Sequence, residues 1–304
     1  MYKNFFSIIL TCYNSEKYLH KTLNNVFNQK YDNFEIIVTD NCSTDNTVKE
    51  IKKFKSKKIK LYLMKKNIGR VNALNFAIKK SKGQYICILD SDDCLEKNWI
   101  SIVNSFINKS KEKFGVICGW SKFINNKNKI IGRLKGPSNL ENVNHILSYA
   151  LPFSHSGSIF QKKKINKIKG PYDPNYRLAH DWKLFVQLSQ FTEIKILPKY
   201  SVKWRRHIES LTAYDSILSR KEKIKVLNFV KNSNINNFSF KNYLRLHVEK
   251  LALSINYIKK LKLKGFLLIL YVLIKCPISI FFNQKFFKMF NLDINKFYNI
   301  NINE

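Results

Sequence analysis

GQYICILDSDD, residues 83–93, is an apolar run that ends in three aspartates. A continuous apolar run such as Tyr85–Leu89 is typical of a strand that is covered on both faces, as in a parallel sheet. Three carboxylates this close together repel one another unless a cation or hydrogen-bond donors compensate them. Oxygen-rich surroundings suit Mg²⁺ or Mn²⁺, but aspartate also caps helices. The spacing alone does not decide whether these aspartates bind a metal ion or cap a helix.

Strand and helix patterns alternate on the N-terminal side of this run. Strands are predicted at Phe5–Leu10, Phe34–Val38 and Ile59–Met64, and helices follow each of them, the last over Val71–Lys80. A further helix is predicted over Leu95–Asn108. Strands that alternate with helices predict βαβ units, a parallel sheet and right-handed crossovers.

Polar residues stand where the predicted strands end. Thr11 and Tyr13 follow the first strand, Asp40 the second, and Asp90 and Asp92 the fourth. Ligands of open parallel sheets bind outside the carboxyl ends of the strands. We therefore expect these side chains to converge on one crevice.

Composition excludes several classes of protein. The 304 residues are 45% hydrophobic, which is enough for a sizeable core despite a net charge of +33. Only seven of the cations are arginines and the lysines are spread along the chain, so nucleic-acid binding is not expected. Six cysteines without a CxxC spacing argue against a disulfide framework or zinc site and favour a reducing compartment. Residues 1–10 carry no secretory signal, so a cytoplasmic protein is expected.

Several motifs recur in the order seen in glycosyltransferase family 2, which the chain resembles over about residues 5–215. They are SIILTCYN (7–14), TDNCSTD (39–45), NIG (67–69), Asn75 and residues 83–93. The resemblance implies a GT-A fold, a Rossmann-like and mostly parallel α/β sheet flanked by helices. It also implies an inverting enzyme that uses a nucleotide-sugar donor.

The resemblance assigns donor-site roles to particular residues. Thr11 and Tyr13 would lie against the nucleotide, and Asp40 would accept a hydrogen bond from the base, usually uracil. Asn67 and Gly69 match a loop beside the donor. Asp90 matches the carboxylate that faces the ribose and sugar, and Asp92 the ligand of a Mg²⁺ or Mn²⁺ ion.

His180-Asp181-Trp182 matches the family's acidic pair before a helix, and the resemblance makes Asp181 the general base. In the single displacement that it implies, the acceptor hydroxyl attacks the anomeric carbon and no protein nucleophile is needed. His180 stands where the family usually has glutamate. Leu74 stands where it often has arginine, and Arg70 is our candidate for that missing charge.

Trp204-Arg205-Arg206-His207 resembles a loop that closes over the diphosphate. Arg205, Arg206 and His207 are suited to grip phosphate oxygens, although a solvated basic turn would have the same sequence. His155 and Trp182 are predicted on the acceptor side, and Trp182 could equally pack in the core.

Residues 216–304 are predicted to form a helical, basic and apolar extension after a GT-A domain of residues 1–215. Residues 265–282 are its most apolar stretch, but Lys275 and Pro277 argue against a membrane span. A basic helix on an anionic membrane surface fits better, with a buried packing helix as the alternative. We expect peripheral attachment to the inner face of the cell membrane.

Three functions are compatible with the sequence. We expect transfer of a hexosyl or N-acetylhexosaminyl group from a UDP-sugar to a glycan or lipid-linked saccharide in cell-envelope polysaccharide biosynthesis. A nucleotidyltransferase would prefer a Gly- and Arg-rich phosphate loop, where this chain has Thr11-Cys12-Tyr13-Asn14. A non-catalytic basic module for anionic polymers would not need Asp90, Asp92 or Asp181.

Overall fold

The computed structural model describes residues 3–110, 114–137, 140–207, 216–233, 240–258 and a few positions between 268 and 276. The strands are β1 (Phe6–Cys12), β2 (Phe34–Asp40), β3 (Ile59–Leu63), β4 (Tyr85–Ile88), β5 (Cys94–Leu95), β6 (Phe114–Ile124), β7 (Ile130–Leu134), β8 (Ile159–Gln161) and β9 (Glu193–Arg205). The helices are α1 (Glu16–Phe27), α2 (Thr47–Lys52), α3 (Arg70–Lys80), α4 (Trp99–Lys109), α5 (Leu140–Leu147), α6 (Lys162–Ile165), α7 (His180–Ser189), α8 (Ser216–Asn232) and α9 (Phe240–Ile258).

The described strands form one sheet in the order β3-β2-β1-β4-β8-β6-β9-β5, with β7 paired to β6. β3, β2, β1 and β4 are parallel, as are β6 and β9, whereas β8 is antiparallel to both neighbours. The predicted mostly parallel α/β sheet is confirmed. Because the chain leaves β1 toward β2 and later returns to β4 on its other side, the ends of β1 and β4 form a switch point where ligands bind.

The two faces of the sheet have separate cores. Ile8 and Leu10 point into a cluster with α1 and α4, while Ile9 points to the opposite cluster with α3 and α7. This alternation follows from the period-2 geometry of a strand. Val226 of α8 and Leu246 of α9 belong to the second cluster, so the C-terminal helices share the core that supports α7.

Two predicted elements differ from the structure. The helix predicted from Leu95 begins only at Trp99, because Cys94–Leu95 pairs with β9 as a short antiparallel strand. The basic segment predicted as a loop begins inside β9, since Trp204 and Arg205 are the last residues of that strand. The register of β9 shifts around Pro198, which cannot donate to the ladder, and the strand then resumes.

The apolar stretch 265–282 lies for the most part outside the described residues. Within the part of the chain that is described, no helix combines the length and apolarity needed to cross a bilayer.

Gly83 provides a test of the packing between β1 and β4. A Cβ at this position would lie 2.4 Å from the backbone nitrogen of Ser7. We expect Gly83→Ala to lower the free energy of unfolding by about 1–3 kcal/mol or more, as overpacking does. Lys82→Ala, which truncates the exposed neighbouring side chain, should change it by less than about 0.5 kcal/mol. Equal denaturation midpoints for the two variants in urea would contradict this packing.

Candidate active site

The turn after β4 holds the acidic cluster that the sequence singles out. Ligand oxygens of Asp90, Asp92 and Asp93 lie within 4.8 Å of one another. The Thr22 hydroxyl of α1 donates to the carbonyl oxygens of Ser91 and Asp93, at 3.0 and 2.9 Å. Helix α1 therefore fixes the backbone of a turn whose side chains repel one another.

Asp90 and Asp93 are compensated in different ways. Asp90 forms an ion pair with Arg70, the first residue of α3. Although burial opposes it, this guanidinium holds the pKa of Asp90 below its usual value. Burial raises the pKa of Asp93 well above its usual value, helped by Asp92 and Asp90, and its Oδ1 accepts the backbone N–H of Arg205 at 2.8 Å. Asp93 is therefore a structural residue inside the fold.

Asp92 is half-buried and keeps the most open position of the three. Burial and the charge of Asp90 raise its pKa, and its Oδ2 accepts a hydrogen bond from His207 Nε2 at 2.8 Å. A divalent cation would relieve this repulsion, and the carboxylate and imidazole could both ligate it. The donor set thus fits the Mg²⁺ or Mn²⁺ predicted for Asp92.

Arg205 holds the site together from the inside. It is 1% exposed, and its guanidinium donates to the carbonyl oxygens of Asp92 and Asn125, both at 2.9 Å, and to Asn128 Oδ1 at 2.7 Å. The structure does not support the diphosphate contact predicted for Arg205, because these donors are directed at protein oxygens.

Arg206 is exposed and differs from its neighbour. Its guanidinium stacks on the ring of Trp204, with 4.3 Å between the guanidinium carbon and the ring centroid. Such stacking orients a guanidinium while leaving its N–H edge open to a ligand. Of the two predicted arginines, Arg206 is the exposed one, and its contact with a phosphate stays a prediction.

The nucleotide residues predicted from the sequence lie at the ends of β1 and β2. Thr11 is half-buried, and the Tyr13 side chain is 50% exposed. Asp40 is 3% exposed; its Oδ2 accepts the N–H of Ser43 at 3.0 Å, and its buried Oδ1 has no partner among the described residues. A buried acceptor without a donor is unfavourable, and the N–H of a nucleotide base could provide the missing hydrogen bond.

Asn67 and Gly69 form the loop that enters α3. Asn67 Oδ1 accepts from Asn41 Nδ2 at 2.7 Å and from the Gly69 N–H at 2.9 Å. Gly69 has a φ of +80°, a conformation that glycine adopts without strain. The Asn67 side chain thus stabilises the loop that leads to Arg70. The sequence did not predict its hydrogen bond with Asn41.

Asp181 is the second residue of α7 and is half-buried. Its Oδ1 accepts the Trp182 N–H at 2.7 Å. Burial raises its pKa, and Arg70 partly offsets this effect. Arg70 itself has a raised pKa, against the effect of its burial, because it pairs with Asp90 and its charge also interacts with those of Asp92 and Asp181. Asp90 contacts the guanidinium directly, and Asp92 and Asp181 act on it through their charges.

Asp40 lies at the end of β2, beside Cys12 in the register of β1 and β2. Burial raises the pKa of the Cys12 thiol, and the charges of Asp40 and Asp92 raise it further. The carboxylates that follow β2 and β4 thus act on the same residue at the end of β1, and their convergence on one ligand site stays a prediction.

The two residues predicted on the acceptor side are buried. His155 is 6% exposed and shares a 2.5 Å hydrogen bond with the Tyr172 hydroxyl; burial lowers its pKa to about 4. Burial likewise lowers the pKa of His180 to about 3. Trp182 is 5% exposed and its indole N–H donates to the Leu147 carbonyl oxygen. The structure gives Trp182 a packing position, because a buried indole cannot stack on an acceptor sugar.

Comparison with known proteins identifies relatives of this chain. The sequence model of a family described as "Glycosyl transferase family 2" matches residues 7–168. The Escherichia coli enzyme WfgD, described as a UDP-Glc:α-D-GlcNAc-diphosphoundecaprenol β-1,3-glucosyltransferase, is 34% identical over 134 residues, 44% of this chain and 52% of its own. The first curated relatives are matched over 65% or less of their own length.

Solved structures share the fold. Staphylococcus aureus TarS 1–349 in complex with UDP-GlcNAc aligns with a TM-score of 0.64 and 20% identity, over 88% of this chain and 79% of its own. The mannosyltransferase PcManGT from Pyrobaculum calidifontis, in complex with GDP-Man and Mn²⁺, aligns with a TM-score of 0.62 and 14% identity, over 96% and 84%. Both similarities show the GT-A type of fold.

The adjacent arginines make a matched pair for stability. Arg205→Ala would remove a fully buried side chain and its hydrogen bonds to Asp92, Asn125 and Asn128, so we expect the free energy of unfolding to fall by about 3 kcal/mol or more. Arg206→Ala removes an exposed side chain and should cost about 1 kcal/mol or less. Urea titration followed by circular dichroism measures both, and equal losses would contradict the structural position assigned to Arg205.

Proposed function

Because the chain belongs to glycosyl transferase family 2, we propose that it transfers a sugar from a UDP-sugar to a hydroxyl group of a glycan or lipid-linked saccharide. The observation that carries this proposal is the acidic turn at the end of β4, where Asp90, Asp92 and Asp93 lie together beside the switch point of the sheet and Arg70 pairs with Asp90. Together with Asp181, whose charge acts on the same Arg70, these carboxylates could serve metal binding, sugar contact and proton transfer.

The end of β2 supports uracil as the base. The unpartnered Oδ1 of Asp40 can accept the N–H of a uracil ring, and the exposed Tyr13 ring offers a surface for stacking. Thr11 lies between them and the acidic turn along β1. The complexes of TarS with UDP-GlcNAc and UDP agree with this choice of nucleotide.

Mg²⁺ or Mn²⁺ fits the position between Asp92 and His207, since the nitrogen–oxygen contact there brings two ligand types together. When bound, such an ion would neutralise the charge that develops on the departing diphosphate. Arg206 lies one residue from His207 and can donate charge-assisted hydrogen bonds to the same phosphate oxygens. Asp90, which pairs with Arg70, would face the ribose and sugar in this proposal.

Asp181 supplies the base in this proposal. Its raised pKa makes the ionised form a stronger proton acceptor than an exposed aspartate. The acceptor hydroxyl loses its proton to Asp181 while its oxygen attacks the anomeric carbon. The bond from that carbon to the diphosphate oxygen breaks, and the configuration is inverted.

The acceptor proposal is a glycan or a lipid-linked saccharide of the cell envelope. WfgD, described as a glucosyltransferase with a diphosphoundecaprenol-linked sugar as acceptor, supports the lipid-linked class. The excess positive charge of the chain would attract it to the anionic inner face of the cell membrane. A hexosyl or N-acetylhexosaminyl group is the transferred sugar in this proposal.

Two isosteric variants test the proposed roles. Asp181→Asn should lower kcat by about 100-fold or more, as loss of a general base does, with little change in UDP affinity. Asp92→Asn should remove most of the gain in UDP affinity that Mn²⁺ provides. Calorimetry with and without Mn²⁺, and UDP release from a panel of UDP-sugars, measure both. Unchanged turnover of Asp181→Asn would contradict the assigned base.

The pH dependence of kcat tests the environment of Asp181. A base must be ionised, so kcat should fall as the pH is lowered through the raised pKa of this group. The apparent pKa on the acidic side of the kcat–pH profile should therefore lie above the value of about 3.9 that is usual for aspartate. UDP affinity measured over the same pH range separates donor binding from catalysis. An apparent pKa at or below the usual value would contradict a buried base.

A further inference from the structure

Glu222 lies on α8, well beyond the residues matched by the family model, and is 1% exposed. Its Oε1 accepts the backbone N–H of Arg177 at 2.8 Å, and its Oε2 accepts those of Leu178 and Ala179 at 2.7 and 2.9 Å. One buried carboxylate thus binds three successive backbone N–H groups.

These three residues lead directly into α7. The first N–H groups of a helix have no partner within the helix and need a cap. Ala179 stands at the N-cap and makes no side-chain cap. Glu222 does not replace that cap: it binds the N–H groups of Ala179 and of the two residues before it, and its negative charge suits the positive end of the helix dipole.

The residue placed by this arrangement is Asp181. It is two positions after Ala179, in the first turn of α7. Within the part of the chain that the structure describes, its side chain accepts a hydrogen bond only from the N–H of its neighbour Trp182. The direction of its carboxylate therefore depends on the backbone that Glu222 holds. Val226 and Leu227, on the same helix as Glu222, are fully buried, so α8 is a firm support.

We propose that Glu222 is a positioning residue for the general base: it holds residues 177–179 so that Asp181 faces the acceptor hydroxyl. This inference rests on the proposed function of Asp181. A displacement of about 1 Å at a reacting group can cost about 100-fold in rate, so a loosened loop should reduce turnover more than donor binding.

Glu249 on α9 is a matched control. It is also a fully buried carboxylate, and it bonds Arg220 at 2.6 Å and Arg245 at 2.7 Å. The ion pair with Arg220 joins α8 to α9, the one with Arg245 lies within α9, and neither involves the loop before α7. Loss of either carboxylate should destabilise the helices, but loss of Glu222 alone should disturb Asp181.

The experiment compares Glu222→Gln, Glu222→Asp and Glu249→Gln with the unaltered chain. Glutamine keeps the shape but offers one acceptor oxygen, so at least one of the three N–H groups loses its partner. The probe is whichever of UDP-Glc, UDP-Gal, UDP-GlcNAc and UDP-GalNAc the unaltered chain hydrolyses fastest with Mn²⁺, water acting as acceptor. Measured quantities are kcat, KM, UDP affinity, urea midpoint and amide exchange of residues 177–179.

We expect Glu222→Gln to lower kcat by at least 30-fold, with KM and UDP affinity within 3-fold and faster amide exchange at residues 177–179. Glu222→Asp, which keeps the charge, should recover part of kcat. Glu249→Gln should lower the urea midpoint but leave kcat within 3-fold. If Asp181→Asn is inactive while Glu222→Gln keeps its kcat, or if Glu249→Gln loses as much, the inference is overturned alone. If the unaltered chain releases UDP from none of the sugars, the proposed function and the inference both fail.

Discussion

The repulsion among three carboxyl groups within 4.8 Å of one another at the end of β4 is the constraint around which the site is built. Asp90 is neutralised by Arg70, Asp93 is enclosed and bonded to the Arg205 backbone, and Asp92 is left half-buried beside His207. Because these partners come from α3 and from the end of β9, compensating the charge also ties distant parts of the chain together. The residual negative charge lies at Asp92, where a cation is best placed to balance it.

The proposed site uses residues inside and outside the segment matched by the family model. That model matches residues 7–168, which contain the ends of β1, β2 and β4. Asp181, His207 and Glu222 all come later in the chain. The proposed base, its positioning residue and the histidine beside Asp92 therefore lie beyond the family match.

The parallel half of the sheet and its strand-end carboxylates could be predicted because both depend on local pattern. Apolar runs separated by helical periodicity specify βαβ units, and parallel topology then places the strand ends along one edge. The burial of Arg205 and its hydrogen-bond partners could not be predicted in this way. Its partners Asp92 and Asn125 lie 113 and 80 positions away, and the bulge at Pro198 decides which way β9 turns its side chains.

The burial of Trp182 could not be predicted from the sequence either, because a tryptophan next to a predicted base is compatible with both sugar stacking and core packing. Glu222 did carry a signal, as an acidic residue in a lysine-rich segment, but its partners are backbone groups without a sequence signature.

The most direct test of the proposed site is a crystal structure with a UDP-sugar and Mn²⁺. Our account predicts uracil against Asp40, the ion at Asp92, and the anomeric carbon between the diphosphate and Asp181. A nucleotide bound away from the ends of β1 and β4 would contradict it.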